Sequence, residues 1–377
     1  MSATTWAILT GEYPPMPGGV ADHTRQLAVG LAGRGRSVHV WVPSECDGSV
    51  ADHGVRLHRL PDHFAPRGLQ QLEEEIAALP TGTRLVVQYV PHAFGFKAMN
   101  LPFCAAVERL AQRWPVDVMF HEVAMPVGPL LPLRWNFIGL VNRVMARLLV
   151  KAAERLLVST SAWCPMLEPL RRRDQPILLA PVPSNIPPCR DGVAATAVRA
   201  RVGGRIVGHF GSCHPLCRDL LAEGVRRVLQ ADNDTRMLWI GGSSSDVGGA
   251  LHERAGELAD RMIITGRLDA TAVAAHLAAC DVMVQPYPDG LSTRRSSAMA
   301  ALCAGIALVS TRGSSTETLW NHQRAVTLVE PDPAALAEAI AGLLSDDSSR
   351  RQCGAEGRRL YESHFCLDRT LDVLLER

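Results

Sequence analysis

Short apolar runs alternate with longer amphipathic segments along this chain, and the pattern starts again halfway. In the first half the apolar runs begin at residues 4, 37, 84, 116 and 154, and in the second half at residues 204, 235, 262, 280 and 306. Such runs predict buried strands, and helix-length spacers between them predict parallel sheets with helices on both faces. The pattern therefore predicts an α/β protein with two Rossmann-like, doubly wound parallel-sheet domains.

The segments between the runs suggest where the domains begin and end. Residues 20–34 place Val20, Leu27 and Leu31 on one helical face, and the tail after Asp332 predicts a pair of helices. Residues 176–200 are rich in proline and predict the hinge. We predict a first domain at residues 1–190, a second domain at 191–360 and a final helix at 361–377 able to cross back to the first domain.

Composition narrows the class of protein. With 377 residues, 47% hydrophobic and 20% charged, and a net charge of +1, the chain fits a two-domain globular protein and has no basic field for nucleic acid. It shows neither a leader-like start nor an apolar stretch of ~18 residues, which favours a cytoplasmic location. The ten cysteines lie mostly in apolar segments, which favours buried thiols over disulfides.

Two clusters of polar residues resemble metal sites only superficially. Cys213, His214 and Cys217 supply at most three ligands, with no second cluster to complete a tetrahedron. Asp232, Asn233 and Asp234 have a metal-binding carboxylate spacing, but they stand just before an apolar run, where a turn is the better interpretation. We therefore predict no metal.

A basic segment at residues 134–157 carries Arg143, Arg147, Lys151 and Arg155 at fourfold spacing beside a broad apolar face. We favour a helix that covers the first sheet with its basic side chains reaching solvent. The alternative is weak peripheral contact with an anionic surface at the inner membrane face.

The loop after the first run, GEYPPMPGGVADH, lacks a G-x-G-x-x-G turn, so dinucleotide binding is not supported there. Gly18 and Gly19 precede a helix, where bare backbone N–H groups can approach an anion or a sugar. A flexible loop explains the same residues equally well.

Several stretches taken together resemble glycosyltransferase family 4. They are the opening strand followed by GEYPP and PGGV, then IVGHFGS and MLWIGGSS, the stretch from Ile263 to Thr311, and the terminal GAEGRRLYESHF. The resemblance spans essentially the whole chain and is most distinctive between Ile263 and Thr311. It implies the GT-B fold, in which an acceptor-binding domain (residues 1–190) and a nucleotide-sugar-binding domain (residues 191–360) face a cleft. It also implies sugar transfer from a nucleotide sugar with retention of configuration.

The donor loop departs from the pattern of the family it resembles. Where that family has two glutamates eight positions apart, this sequence has Asp289 and Ser297. In the first interpretation Asp289 accepts hydrogen bonds from the sugar, while Arg294, Arg295 and the backbone of residues 290–293 hold the diphosphate. In the second interpretation the protein has lost transfer activity and serves as a binding partner. In the third the arginines are solvated and the substitution only changes the donor preference. We favour the first because the loop remains dense in phosphate-compatible groups.

The resemblance also assigns expected roles to other residues. His121 matches a histidine facing the donor sugar, and with Asp289 and Arg295 it forms the expected catalytic set. Glu317 is expected either to order the loop or to contact the ligand. Asp22, His92 and Glu122 are expected acceptor contacts from their places on the predicted cleft face and not from the resemblance, and Asp22 and Glu122 could equally cap helices. Expected donor or phosphate contacts are Gly18, Gly19, His209, Arg218, Gly266, Arg267, Gly290, Leu291, Ser292, Thr293, Arg294 and Ser297.

These observations predict a metal-independent glycosyltransferase with a nucleotide-sugar co-substrate, no other cofactor, and a hydroxyl acceptor from a polysaccharide, a glycolipid or a secondary metabolite. The leaving diphosphate would be stabilised by arginines and a helix N-terminus. The alternatives are an inactive binding protein of the same fold and a sugar-nucleotide epimerase. The base, the sugar, the acceptor, the linkage and the oligomeric state are left open by the sequence.

Overall fold

A computed structural model describes residues 4–46, 52–241, 256–322 and 324–376. The chain forms two compact units. The first runs to Pro181 and takes in the residues from Leu367 onward, and the second is Val182–Cys366. The boundary at Pro181 lies inside the proline-rich segment and somewhat earlier than residue 190.

The first unit is a sheet of seven strands with helices packed on it. The strands are β1 Thr5–Thr10, β2 Ser37–Pro43, β3 Val55–Leu60, β4 Arg84–Tyr89, β5 Val116–Phe120, β6 Arg155–Val158 and β7 Ile177–Leu179. The helices are α1 Gly19–Gly33, α2 Pro66–Ala77, α3 Leu101–Leu110, α4 Leu133–Ala152, α5 Cys164–Leu167 and, at the end of the chain, α12 Leu367–Leu375.

The second unit is built on a sheet of six strands. The strands are β8 Arg205–Phe210, β9 Thr235–Ile240, β10 Met262–Ile264, β11 Val282–Gln285, β12 Ala307–Thr311 and β13 Thr327–Val329. The helices are α6 Gly192–Val202, α7 Pro215–Ala231, α8 Ala270–Ala278, α9 Ser296–Ala304, α10 Pro333–Ser345 and α11 Asp347–His364. Short 3-10 turns occur at Ser44–Cys46, Pro91–Phe94, Phe96–Ala98, Ser161–Trp163, Gly256–Arg261 and Thr318–His322.

Both sheets are parallel and both change winding direction once. Their strand orders are β3-β2-β1-β4-β5-β6-β7 and β10-β9-β8-β11-β12-β13. Alternate residues of each strand enter different cores: Ala7 and Leu9 face one core of the first unit, and Trp6 and Ile8 face the other. The predicted α/β class with two doubly wound parallel sheets is confirmed.

All ten apolar runs form strands, but the structure adds three strands that the pattern did not predict. These are β3, β7 and β13, and each lies at an edge of its sheet. An edge strand is covered on fewer sides, so polar residues are tolerated in it and its apolar signal is weak. β3 shows this clearly, because VRLHRL is mostly half-buried or exposed.

The basic segment is shorter as a helix than predicted. α4 ends at Ala152, and Arg155 opens strand β6 instead of continuing the basic row. The Arg155 side chain is buried and bonds to the fully buried Asp117 through Nε at 3.0 Å and Nη2 at 2.6 Å. The prediction of a solvated arginine at this position was wrong, because Asp117 on the neighbouring strand compensates its charge.

The cysteines are thiols and most of them are buried, as their apolar surroundings in the sequence predict. All ten are free, and seven of them are buried. Over the described residues, no helix combines the length and the apolar character that crossing a bilayer requires.

Candidate functional site

The strongest candidate site lies where the second sheet changes direction, between β8 and β11. β8 leads through residues 211–214 into α7, and β11 leads through residues 286–295 into α9. Ligands of open α/β sheets bind beyond the carboxyl ends of the strands at this kind of position. Burial raises the pKa of the Cys217 thiol, and the charges of Arg295 and Asp289 act on it as well, which places the start of α7 beside the second loop.

Asp289 and two arginines form the charged centre of this loop. Arg294 Nη2 donates to Asp289 Oδ2 at 2.8 Å, and Arg295 Nη2 donates to Asp289 Oδ1. Burial opposes ionisation of Asp289, yet the charges of Arg295 and Arg294 hold its pKa below the ordinary value. Two guanidinium groups thus share one carboxylate, and the trio retains a net positive charge.

Arg295 is positioned by an aromatic ring and keeps a spare donor. Its guanidinium carbon lies 4.6 Å from the centre of the Tyr287 ring, a cation–π contact. Within the described residues its Nε atom is buried without a hydrogen-bond partner, and the same holds for Nε of Arg218 on α7. Buried donors of this kind ordinarily find an acceptor, so both point to a ligand with acceptor oxygens.

The start of α9 adds to this positive character. The residue before the helix is Arg295, and it supplies no side-chain cap to the first N–H groups. Uncapped N–H groups at a helix start favour an anion. The helix start and the arginines therefore favour the same kind of ligand.

Residues 290–293 differ from the prediction in how their backbone is used. The N–H groups of Gly290, Leu291 and Thr293 are donated to Tyr287 O, Thr311 O and the Glu317 carboxylate. These three groups are committed within the protein, so they hold the loop in shape instead of facing a diphosphate. The side chains of Leu291, Ser292 and Thr293 are fully buried, which supports the same role.

Gly290 is required by the close approach of two loops. Its φ of 87° lies in the left-handed region, and a Cβ there would come 2.4 Å from the backbone nitrogen of Gly313. The loop after β12 therefore supports the loop after β11 directly.

Glu317 orders the donor loop. Its buried carboxylate accepts bonds from Thr293 N at 3.1 Å, from Thr293 Oγ1 at 2.7 Å and from Trp320 Nε1 at 2.8 Å. Of the two roles that the sequence left open, these contacts favour loop ordering.

The remaining candidate residues of the second unit differ in exposure and in their contacts. Ser297 bonds through Oγ to the Tyr287 hydroxyl at 2.8 Å, so it adjoins the arginine cluster. Gly266 and Arg267 follow β10, where Gly266 has a φ of 69° and Arg267 is exposed. His214 caps α7 by accepting the N–H of Leu216 at 3.2 Å.

His209 is a core residue. It is 1% exposed, and its Nδ1 lies 2.8 Å from Val284 O while the ring packs edge-on against Trp239. Burial lowers its pKa to about 4. The predicted phosphate contact therefore lacks the positive charge that would favour it at neutral pH.

The first unit has its own change of direction, between β1 and β4. Glu12 follows β1 and His92 follows β4, and His92 Nε2 lies 3.4 Å from Glu12 Oε1. His92 Nδ1 also lies 3.9 Å from Glu122 Oε2. The hydrogen bond with Glu12 raises the pKa of His92 against the opposing effect of burial. The structure thus brings together two predicted residues and Glu12, which the sequence analysis missed.

The glycines of this first loop serve close packing. A Cβ on Gly11 would lie 1.9 Å from Ala93 O, so the loops after β1 and β4 touch at this residue. A Cβ on Gly18 would lie 2.7 Å from Glu12 Oε2, whereas Gly19 has open space around it. Asp22 stands in the first turn of α1, with a partly exposed side chain.

His121 belongs to a buried, neutral cluster. Its Nε2 lies 2.7 Å from Gln88 Oε1, and its ring meets the ring of His23 edge-on at 5.0 Å. Burial lowers the pKa of His121 well below 6.5 and that of His23 to about 4. Gln88 and His23 were missed, although a glutamine inside an apolar run is a signal of a buried polar contact.

The residues of the two metal-like clusters serve packing and a turn. Cys213 and Cys217 are buried thiols, and no group of three histidine, cysteine or acidic side chains suited to a metal occurs within the described ranges. Asp232 forms the predicted turn, since its Oδ1 accepts the N–H of Asp234 at 3.0 Å just before β9. The turn prediction is confirmed.

Comparison with known proteins gives a family match for part of the second unit. Residues 204–346 match the family model of Glycosyl transferases group 1. No curated protein matches the chain in sequence.

Solved structures resemble the whole chain. They include sucrose-phosphate synthase from Thermosynechococcus elongatus (17% identity, TM-score 0.73, 98% of this chain and 97% of that one). Another is HepE of Anabaena in complex with UDP and glucose (16% identity, TM-score 0.70, 98% and 97%). A third is a glycosyltransferase from Rickettsia africae (13% identity, TM-score 0.73, 100% and 97%).

At these identities the structural likeness establishes the fold. The two parallel-sheet units match those of GT-B glycosyltransferases, as predicted. The arginine cluster, its supporting loop and the start of α9 all lie inside the matched range 204–346. Residues 204–346 thus match the group 1 glycosyltransferase model, and the candidate site lies inside the matched range.

Proposed function

We propose that this protein is a retaining, metal-independent glycosyltransferase of the family 4 type, which moves a sugar from a nucleoside diphosphate sugar to a hydroxyl acceptor. The observation that carries the proposal is the Asp289, Arg294 and Arg295 trio, with its net positive charge and the buried free Nε of Arg295. The bound UDP in the HepE structure is consistent with a uridine donor, and a guanosine donor is the other candidate.

Donor binding would rearrange the trio. Phosphate oxygens are strong acceptors for guanidinium groups, so Arg294 and Arg295 turn from Asp289 to the diphosphate. The released Asp289 carboxylate then accepts hydrogen bonds from sugar hydroxyls. Arg218 and the first N–H groups of α9 supply further positive character to the same anion.

The transfer step needs no protein nucleophile. The acceptor oxygen forms a bond to the anomeric carbon as the bond from that carbon to the phosphate oxygen breaks, on the same face of the sugar. The proton of the acceptor hydroxyl passes to a phosphate oxygen, and the nucleoside diphosphate leaves with its negative charge balanced by the arginines.

The first unit would supply the acceptor side. His92 and Glu122, with Glu12 behind them, offer donors and acceptors for a sugar or lipid hydroxyl, and Asp22 stands on the helix that follows the same loop. His121 remains neutral because it is buried, so it would contribute a hydrogen bond to the donor sugar and not a charge.

A donor panel tests the proposal. Purified protein is incubated with UDP-glucose, UDP-N-acetylglucosamine, UDP-galactose and GDP-mannose, and nucleoside diphosphate release and thermal stabilisation are measured. We expect release with at least one donor, and a loss of about tenfold or more in Asp289→Asn. The matched control is Glu223→Gln, a partly exposed carboxylate on α7 paired with two arginines, which should leave release unchanged. No stabilisation and no release with any donor would contradict the proposal.

One observation favours a second function. Ser297, in place of a carboxylate, bonds to Tyr287 and offers a bound ribose only a hydroxyl. A protein that binds a nucleotide sugar without turning it over would show thermal stabilisation by UDP or GDP but no release. Interconversion of the donor sugar without release would instead indicate an epimerase.

A further inference from the structure

The first unit exposes an apolar surface that its own core does not use. It consists of Leu130, Leu133, Phe137, Leu140 and Val144, which we call the α4 surface. Leu130 is 96% exposed, Leu133 is 87% exposed and Phe137 is 60% exposed. Isolated exposed leucines are common, but a continuous set of large apolar side chains marks an interaction site.

Apart from Leu130, which precedes the helix, the α4 surface is one face of α4. Leu133, Phe137, Leu140 and Val144 follow the spacing of a single helical stripe. The opposite face holds the buried residues Gly139, Asn142, Met145, Ala146, Leu149 and Val150. The helix therefore has one apolar face toward the core and a second apolar face toward solvent over its first three turns.

The charge around this surface is positive throughout. Residues 123–153 contain no aspartate or glutamate but four basic residues. Arg143 is used internally, with Nη1 bonded to Met125 O and Gly139 O, and Lys151 bonds to Glu108 at 2.5 Å. Arg134 and Arg147 are exposed, and the described part of the chain offers neither of them an acidic partner. A partner that is both apolar and anionic would complement an apolar stripe flanked by arginines whose charge is not neutralised.

A cavity opens beside the same surface. It has a volume of about 720 Å³, and its lining includes Lys97, Met99, Met125, Arg134, Trp135 and Phe137. Its walls are thus mainly apolar, with two cations at their edge. This combination suits a molecule with an anionic head and an aliphatic body.

A second copy of the chain fits the surface less well. A twofold pairing would bring Arg134 and Arg147 of one copy toward the same arginines of the other, with no carboxylate between residues 123 and 153 to separate them. Anionic lipid headgroups have the opposite charge, and the boundary below them accepts apolar side chains.

We propose that the α4 surface docks on an anionic lipid bilayer, with its apolar stripe lying in the boundary between headgroups and acyl chains. Arg134 and Arg147 contact anionic headgroups, and the adjoining cavity admits one of them. The helix lies along the surface and does not cross the membrane. This binding does not rest on the proposed transfer reaction, and it shares with that reaction only His92, which also lines the cavity.

Vesicle sedimentation tests the proposal with the full chain. Vesicles of phosphatidylcholine alone are compared with vesicles in which about 30% of the lipid is phosphatidylglycerol, which gives them a negative surface potential. We expect sedimentation only with anionic vesicles, and release as salt is raised. Leu133→Ser combined with Phe137→Ser should lower the partition coefficient about tenfold or more, because two apolar side chains no longer enter the boundary. Arg134→Ser combined with Arg147→Ser should lower it about tenfold.

Matched controls distinguish vesicle binding through the α4 surface from nonspecific adsorption. Val193→Ser removes an apolar side chain that is 80% exposed in the second unit, and Arg351→Ser removes an exposed arginine on α11. Both variants should sediment like the unaltered protein, and circular dichroism should show all variants folded. Failure of the unaltered protein to sediment with anionic vesicles at low salt overturns the proposal. The proposal is also overturned if light scattering shows a dimer that dissociates in the variant with both Leu133→Ser and Phe137→Ser, while vesicle binding of that variant is unchanged.

Discussion

Each unit has an aspartate that bonds to two arginines, and the two clusters differ in how completely their hydrogen bonds are used. In the first unit, Asp117 is fully buried between Arg155 and Arg84. Arg155 donates twice to Asp117 and also to the carbonyls of Val373, Leu374 and Glu376, so all five of its N–H groups are used. In the second unit, Arg295 keeps a buried Nε with no partner among the described residues.

The comparison distinguishes an ion-pair cluster that stabilises the fold from one that is available to bind a ligand. In the first cluster, Arg155 fixes α12 to the first sheet and has no donor left for a ligand. The unsaturated cluster sits at the turning point of its sheet, is a quarter exposed at Asp289 and has spare donors. Residue types alone do not distinguish the two, because both are aspartates with arginines.

The largest expected effect is on the saturated cluster. Arg155→Met should lower the free energy of unfolding by about 3–5 kcal/mol, because a buried carboxylate loses its main partner and three carbonyls lose their donor. Urea denaturation followed by circular dichroism measures the change. Arg227→Met, which removes an exposed arginine paired with Glu223, should change it by less than about 0.5 kcal/mol. Equal losses in the two variants would remove the distinction drawn above.

The unsaturated cluster should respond in activity and hardly in stability. Arg295→Gln should reduce nucleoside diphosphate release by about 10²–10³-fold, since it removes a preorganised charge from the leaving group. Arg226→Gln, which alters a partly exposed arginine on α7, serves as the control and should keep the full rate. A variant that unfolds more easily yet releases nucleotide normally would show that Arg295 is structural, like Arg155.

A smaller effect concerns pH. Burial lowers the pKa of His23 from 6.5 to about 4, so below pH ~6.5 the unfolded chain binds a proton that the native protein refuses. The free energy of unfolding should therefore fall as pH drops from ~6.5 toward 4, by about 1.4 kcal/mol per pH unit for this residue. In His23→Phe, the pH dependence of the free energy of unfolding should correspond to one proton fewer taken up on unfolding. Urea denaturation at several pH values between 7 and 5 measures this. An unchanged slope would mean that His23 is hydrated and charged in the native protein.

The sequence predicted the candidate loops better than their chemistry. Carboxyl ends of parallel strands meet at one edge of a sheet, so the runs ending near residues 210 and 285 already indicated where residues 289–297 lie. The pairing of Asp289 with both arginines and the stacking of Arg295 on Tyr287 were not predicted. They depend on side-chain directions, which the spacing of residues leaves open.

By itself the sequence determined the buried strands, the restart of the pattern and the places where the loops emerge. Hydrophobic periodicity is a local property, and a strand buried on both faces shows it in full. Only the tertiary structure decided the edge strands β3, β7 and β13, the burial of Arg155 and the internal use of the N–H groups of Gly290, Leu291 and Thr293. Each of these depends on which distant segment lies alongside, because that neighbour determines whether a charge is compensated or a donor is already taken.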